Sequence, residues 1–190
     1  MLEQLLQYDT QLFLFLNNLG SESWDGFWQI ITEKYTSIPL YVVLLYLVWR
    51  NGSWKGTVLV LICAALMIAA TDQLANLFKY VLFQRPRPCR LEAIQDQMRM
   101  VADHCGRYGY FSAHAASSMA AAVFLGLLLR KTFRYLPFLL LVWAVLLGYS
   151  RIYLGVHYPS DVITGMFFGA IIGWLTYLLQ QRLAKRFIAS

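Results

Sequence analysis

Residues 54–78 read WKGTVLVLICAALMIAATDQLANLF. From Gly56 to Thr71 the run contains no Lys, Arg, Asp or Glu. About 20 mostly apolar residues in helical form cross the hydrocarbon of a bilayer. A lone strand cannot, because its backbone groups would go unpaired in lipid. The stretch therefore predicts a membrane-spanning α-helix.

Moving outward, three further runs have the same character: Ser112–Leu129, Thr132–Ser150 and Pro159–Leu179. Toward the N-terminus, Phe27–Trp49 is the weakest candidate, because Glu33 and Lys34 lie within it. Those charges are expected at the interface. Before it, Leu5, Leu6, Leu12, Phe13, Phe15 and Leu16 mark an amphipathic interfacial helix within residues 1–24, capped by Asp9 or Thr10. The expected fold is all-α: an integral membrane bundle of five to six helices, forming one domain over residues 1–190.

Composition agrees. The chain is 59% hydrophobic and only 14% charged, against about 25% charged in soluble domains. Its net charge of +6 reflects loops that collect Lys and Arg, and implies no nucleic-acid partner. Met1–Leu6 has no basic residue, so the cleavable-signal pattern is absent there. Arg50, Lys55, Arg130, Lys131, Arg134, Arg182, Lys185 and Arg186 fall on one side in short connections without acids. That side is expected in the cytoplasm, with the C-terminal tail. The long loop, residues 79–111, then lies outside. Leu91, Ile94, Met98, Val101 and Cys105 recur in it at helical spacing and predict a short amphipathic helix. It would gate a lipid substrate or simply cover the bundle. Cys63 reads as a packing residue, and His104 as a loop residue. Cys89 and Cys105 would be either a disulfide in an oxidising compartment or two free thiols. Asp72, inside a span, is expected to accept a hydrogen bond from a neighbouring helix or to move protons.

The polar residues gather at span ends on one face. Lys79 and Gln84-Arg85-Pro86-Arg87-Pro88 close the span at 54–78; Tyr110-Phe111-Ser112-Ala113-His114 opens the next. Ser150-Arg151 and His157-Tyr158-Pro159-Ser160-Asp161 join the last two. Each has an ordinary reading alone: a snorkelling lysine, headgroup-anchoring arginines, an interfacial histidine, a structural His–Asp pair. Together they match phosphoryl transfer. Three phosphoryl oxygens need cations, which Lys79, Arg87 and Arg151 supply. Ser112 and the N–H groups opening its helix add donors. His157 and Asp161, four residues apart, share a helix face if the helix begins near His157. Asp161 would hold one imidazole nitrogen and free the other to attack. His114 suits acid–base work. With so many cations nearby, no metal and no cofactor is expected. Gly165, Gly169 and Gly173 continue the same four-residue register and allow close helix approach.

These residues resemble the type 2 phosphatidic acid phosphatases, which share a core with vanadium haloperoxidases. The family's third motif, Ser-Arg, five residues, His, three residues, Asp, is matched by Ser150, Arg151, His157 and Asp161. Its second, Pro-Ser-Gly-His, appears as Phe111-Ser112-Ala113-His114. Its first, Lys, six residues, Arg-Pro, is off in length: seven residues separate Lys79 from Arg87, and five separate it from Arg85. Arg87-Pro88 is the preferred match, with Arg85 a substitute contact. The resemblance covers about residues 72–175. It implies His157 as nucleophile, Asp161 as its partner and His114 as general acid. It implies Lys79, Arg87, Ser112, the Ala113 N–H and Arg151 as phosphate ligands. It also implies metal-independent hydrolysis at the outer face of a bacterial cytoplasmic membrane. The substrate would be a membrane lipid phosphate: undecaprenyl pyrophosphate, phosphatidylglycerophosphate, phosphatidic acid or lipid A. The small chain favours the first, or a glycerophospholipid. A lipid phosphotransferase and a non-catalytic lipid-phosphate binding or transport protein are the rivals.

Overall fold

Ser53 starts the span quoted above: its Oγ accepts the Gly56 N–H at 3.1 Å, capping a helix over Trp54–Leu77. In this computed structural model residues 2–188 are described, without the side chains of Leu2 and Lys34. The described residues form eight α-helices: α1 Leu2–Asn18, α2 Glu22–Thr32, α3 Ile38–Arg50, α4 Trp54–Leu77, α5 Glu92–Gln95, α6 Ala113–Leu129, α7 Leu136–Tyr153 and α8 Pro159–Phe187. The expected count of five to six is too low, for two reasons.

First, the weak span at 27–49 is broken. Glu33 leaves helical geometry (φ −65°, ψ 135°), and the segments Glu22–Thr32 and Tyr35–Arg50 meet at 68°. The Lys34 side chain, part of that expectation, lies outside the described residues. Second, the outer loop adds the short helix α5. Helix α1, expected at the interface, docks onto the bundle in addition to facing outward. Phe13 is fully buried and meets the Tyr158 ring edge-on at 5.5 Å. Leu5, Leu6, Leu12 and Phe15 stay exposed. Asp9 is no cap, since it lies mid-helix, and Thr10 Oγ1 donates back to the Leu6 carbonyl at 2.9 Å.

Trp54–Leu82, Leu136–Tyr153 and Pro159–Phe187 are long and apolar enough to cross a membrane, and the bent α2–α3 pair qualifies as a fourth crossing. Helix α6, at 17 residues, is shorter. It forms the centre, with Ala115, Ala116, Ala120 and Phe124 fully buried. Large apolar side chains such as Ile62, Leu66, Phe138, Ile163, Phe167 and Trp174 point outward. A soluble protein would bury such a surface; here lipid covers it. The chain is an integral membrane protein.

The α6–α8 seam is backbone against backbone. A Cβ on Gly165, Gly169 or Gly173 would run into the Ser112, Ala116 or Ala120 carbonyl respectively. Small residues on both helices therefore set the spacing at the centre of the bundle.

In the outer loop the predicted amphipathic helix shrinks to the single turn α5. Its backbone groups find partners elsewhere. The Arg99 N–H donates to Asn17 Oδ1 at 2.7 Å, and the Arg99 carbonyl accepts Asn17 Nδ2 at 3.0 Å. The Val101 and Ala102 N–H groups both donate to the Leu154 carbonyl. The Arg99 guanidinium pairs with Asp25 at 2.9 Å. Cys89 and Cys105 form a disulfide across this loop. Asp72 lies on the exposed face of α4. It therefore does not take the interhelical hydrogen bond that is one of its two expected roles.

Candidate active site

Four helix ends meet at one end of the bundle: the C-terminal ends of α4 and α7 and the N-terminal ends of α6 and α8. The meeting is fixed by backbone bonds. The Ser112 N–H donates to the Asp161 carbonyl at 3.0 Å, tying the start of α6 to the first turn of α8. The Val156 and His157 N–H groups both donate to the Arg151 carbonyl, at 3.1 and 3.2 Å, closing the α7–α8 turn. Pro159 occupies the first turn of α8, where a missing N–H costs nothing.

His157 and Asp161 face one another. His157 Nδ1 lies 3.2 Å from Asp161 Oδ2, and the same oxygen accepts the Tyr158 N–H at 3.0 Å. Both side chains are buried. A carboxylate at Nδ1 keeps that nitrogen protonated and leaves Nε2 as the basic one. Burial, with the charges of Arg87, Arg151 and Lys79 added, pushes the His157 imidazole well below the ordinary histidine value. It is therefore neutral near pH 7, as a nucleophile must be. Those three charges act on it from the end of α4, the outer loop and α7, segments far apart in the chain.

Lys79 is buried in a π-helical turn, Phe78–Leu82, that continues α4. The Phe83 N–H closes it on the Phe78 carbonyl at 2.7 Å. Such a turn takes up one extra residue. Arg87 and Arg85 then part. The Arg87 Nε donates to the Tyr108 carbonyl at 3.0 Å, and its charge acts on His157. Arg85 turns instead toward Asp9, Ser160 and the far oxygen of Asp161.

The loop carrying Arg87 runs beside residues 107–109. The Arg87 N–H donates to the Arg107 carbonyl at 3.3 Å and the Gly109 N–H to the Arg85 carbonyl at 3.0 Å. Gly109 is pressed into the site: a Cβ there would lie 2.9 Å from Asp161 Oδ2 and 3.6 Å from His157 Nδ1. On the other side, Arg151 Nη1 donates to Thr32 Oγ1 at 2.6 Å, and Ser150 Oγ to the same oxygen at 3.1 Å. Arg151 Nε is buried without a hydrogen-bond partner, so an N–H remains available to an anion.

Ser112 caps α6, its Oγ accepting the Ala115 N–H at 3.4 Å, and Ala113 and His114 form the first turn. His114 is half-buried there. Among the described residues no three His, Cys, Asp or Glu side chains converge as metal ligands do. Thr32 and Gly109 are not visible as site residues in the sequence, and Asp9 is visible there only as a candidate helix cap, since each reaches the site only through folding. Arrangement and charge suit a phosphoryl group held by cations against a neutral imidazole.

The sequence profile described as the PAP2 superfamily matches residues 35–185. A lipid A 4'-phosphatase of Bacteroides thetaiotaomicron is 38% identical over 98% of this chain and 83% of its own length. One from Porphyromonas gingivalis is 28% identical over 100% of this chain and 80% of its own. Among solved structures, a transmembrane PAP2-type phosphatidylglycerolphosphate phosphatase from Bacillus subtilis superposes with a TM-score of 0.72. It covers 94% of this chain and 87% of its own, at 18% identity. Aquifex aeolicus LpxE gives a TM-score of 0.65, covering 88% and 93%, at 24% identity. At those identities the two structures speak to the fold alone.

Proposed function

The chain belongs to the PAP2 superfamily, and from that membership we propose that it is a metal-independent lipid phosphatase working through a phosphohistidine. The observation that carries this is the buried His157–Asp161 pair at 3.2 Å, on which the charges of Arg87, Arg151 and Lys79 act. Lys79, Arg87 and Arg151, with Ser112 and the Ala113 N–H, hold the phosphoryl oxygens. His157 Nε2 attacks phosphorus in line with the lipid oxygen; the N–P bond forms as the P–O bond breaks. His114 gives a proton to the departing oxygen, then takes one from the water that attacks the phosphohistidine. Inorganic phosphate leaves and both imidazoles are restored.

The relatives named as lipid A 4'-phosphatases favour a phosphomonoester on a lipid A-type saccharide as substrate. An undecaprenyl-diphosphatase from Sulfolobus acidocaldarius, 29% identical over 94% of this chain, supports a polyprenyl diphosphate as the second candidate. The whole chain acts as one membrane-embedded domain, with α1 and residues 79–111 roofing the site. The site faces the periplasm and the C-terminus the cytoplasm of a bacterial inner membrane. The Cys89–Cys105 disulfide beside the site supports an oxidising compartment there. The same chemistry passing phosphate to an alcohol would be a transferase; labelled products separate the two.

The deciding experiment follows phosphate release in detergent from lipid A, undecaprenyl diphosphate, phosphatidylglycerophosphate and phosphatidic acid, with chelator present. Turnover survives the chelator, His157→Ala abolishes it, and His114→Ala accumulates an acid-labile phosphoprotein. Substantial turnover by His157→Ala rejects the mechanism.

A further inference from the structure

Asp161 has one oxygen spoken for and one not. Oδ2 serves His157 and Tyr158; Oδ1 is buried and has no hydrogen bond. The nearest opposite charge is the Arg85 guanidinium, 3.7 Å away. That is beyond hydrogen-bond length, and Arg85 is held there. Its Nη1 donates to Asp9 Oδ2 at 2.7 Å and to Ser160 Oγ at 2.9 Å. Its guanidinium carbon sits 3.7 Å above the Tyr158 ring. Asp9, on α1, is itself fixed to the first turn of α8. Its Oδ1 accepts the Ser160 N–H at 2.9 Å and its Oδ2 the Ser160 hydroxyl at 2.5 Å. The Asp9 and Arg85 side chains are largely shielded, 11% and 17% exposed.

We propose that Asp9 and Arg85 are positioning residues of this enzyme, forming with Asp161 a row of alternating charge, −, +, −, that ends on Nδ1 of His157. This rests on His157 being the nucleophile. Arg85 is the cation that faces the free oxygen of Asp161 at its fully buried position. Asp9 restrains Arg85 from closing on Asp161, which would draw the carboxylate's charge away from the imidazole. When His157 attacks, positive charge develops on its ring, and the Asp161 carboxylate must be free to face it. In this reading Arg85 does not touch the phosphate, a task left to Arg87, Lys79 and Arg151. Those three are also the cations acting on His157; a hydrogen bond to the Gly109 backbone acts the other way, and Asp161 is the carboxylate in contact with the ring. Helix α1 thereby becomes a working part of the site.

The test uses the full-length protein in detergent micelles. Asp9→Asn removes the charge and keeps an oxygen for the Ser160 N–H. The readouts are kcat, KM, the acid limb of the pH profile, and the ¹⁵N-histidine NMR titration of His157, assigned with His104→Gln and His114→Gln. The expected result is kcat lower by about tenfold, the size of one pKa unit of interaction, with KM unchanged. The His157 titration moves to lower pH, Asp9→Glu restores part of kcat, and Asp9→Asn costs nothing further in an Arg85→Gln background. An unmoved imidazole titration and pH profile, with activity lost only as the melting temperature falls, overturns the proposal: Asp9 is then merely a fastening for α1. Failure of the parent protein to release phosphate from any lipid would reject the hydrolase reading instead. The NMR titration still judges the charge row in that case.

Discussion

Ser112 and Asp161 are joined backbone to backbone, the Ser112 N–H donating to the Asp161 carbonyl at 3.0 Å. The residue that caps α6 is thereby locked to the residue that orients His157. Just below, Gly165, Gly169 and Gly173 keep the two helices in contact. The seam and the site are one mechanical unit.

Widening the seam should therefore damage the site from a distance. At Gly169 an added side chain meets the Ala116 backbone, which cannot swing aside as a side chain would. Gly169→Val is expected to cost about 2–3 kcal/mol of stability and to lower kcat more than KM. Thermal melting in detergent, alongside turnover, checks both.

Arg151 depends on Thr32, a residue of α2 bonded to it at 2.6 Å. Thr32→Val keeps the shape and removes the acceptor. A lost hydrogen bond to a charged group is worth about 1.5–3 kcal/mol. Roughly tenfold weaker phosphate inhibition is expected, with the fold intact. Inhibition constants for inorganic phosphate would reveal it.

Burial and the cations around His157 depress its pKa. Near pH 7 the group is neutral folded and unfolded alike. Below about 6.5, the ordinary histidine value, the unfolded chain binds a proton that the folded one refuses. The contribution to stability is thus fully present above that value and is lost as pH falls toward the folded pKa. Turnover should hold through neutrality and decline only well on the acid side. Arg87→Gln removes a repelling charge and should move that acid limb to higher pH, while cutting kcat/KM by about a hundredfold or more. A pH series of kcat/KM for both proteins decides it.

The Cys89–Cys105 disulfide closes the loop that carries Arg87 toward His157. A loop of this length contributes about 3 kcal/mol by restricting the unfolded chain. Reduction, or Cys89→Ser with Cys105→Ser, should lower the melting temperature and raise KM. Melting with and without reductant, and substrate titration, measure the two effects.

Sequence alone determined α4, α7 and α8 as membrane helices, because lipid demands a long apolar run and such runs are visible residue by residue. It also determined Ser150, Arg151, His157 and Asp161 as a set, since one turn and one helix start hold them at fixed spacing. It put Lys79 near the end of α4 and His114 near the start of α6, where they lie. It did not determine the break at Glu33, nor the collapse of the expected outer-loop helix to one turn. Both are set by partners distant in the chain: Thr32 reaching Arg151, and Asn17 and Leu154 taking the loop's hydrogen bonds. Nor did it separate Arg85 from Arg87. The two lie two residues apart with the same chemistry, and only the π-helical turn after α4 and the carboxylate of Asp9 send them to different places. Local periodicity records what a residue does for its own helix. Which groups meet across the fold is decided by packing, which holds one guanidinium to the Tyr108 carbonyl and the other to Asp9.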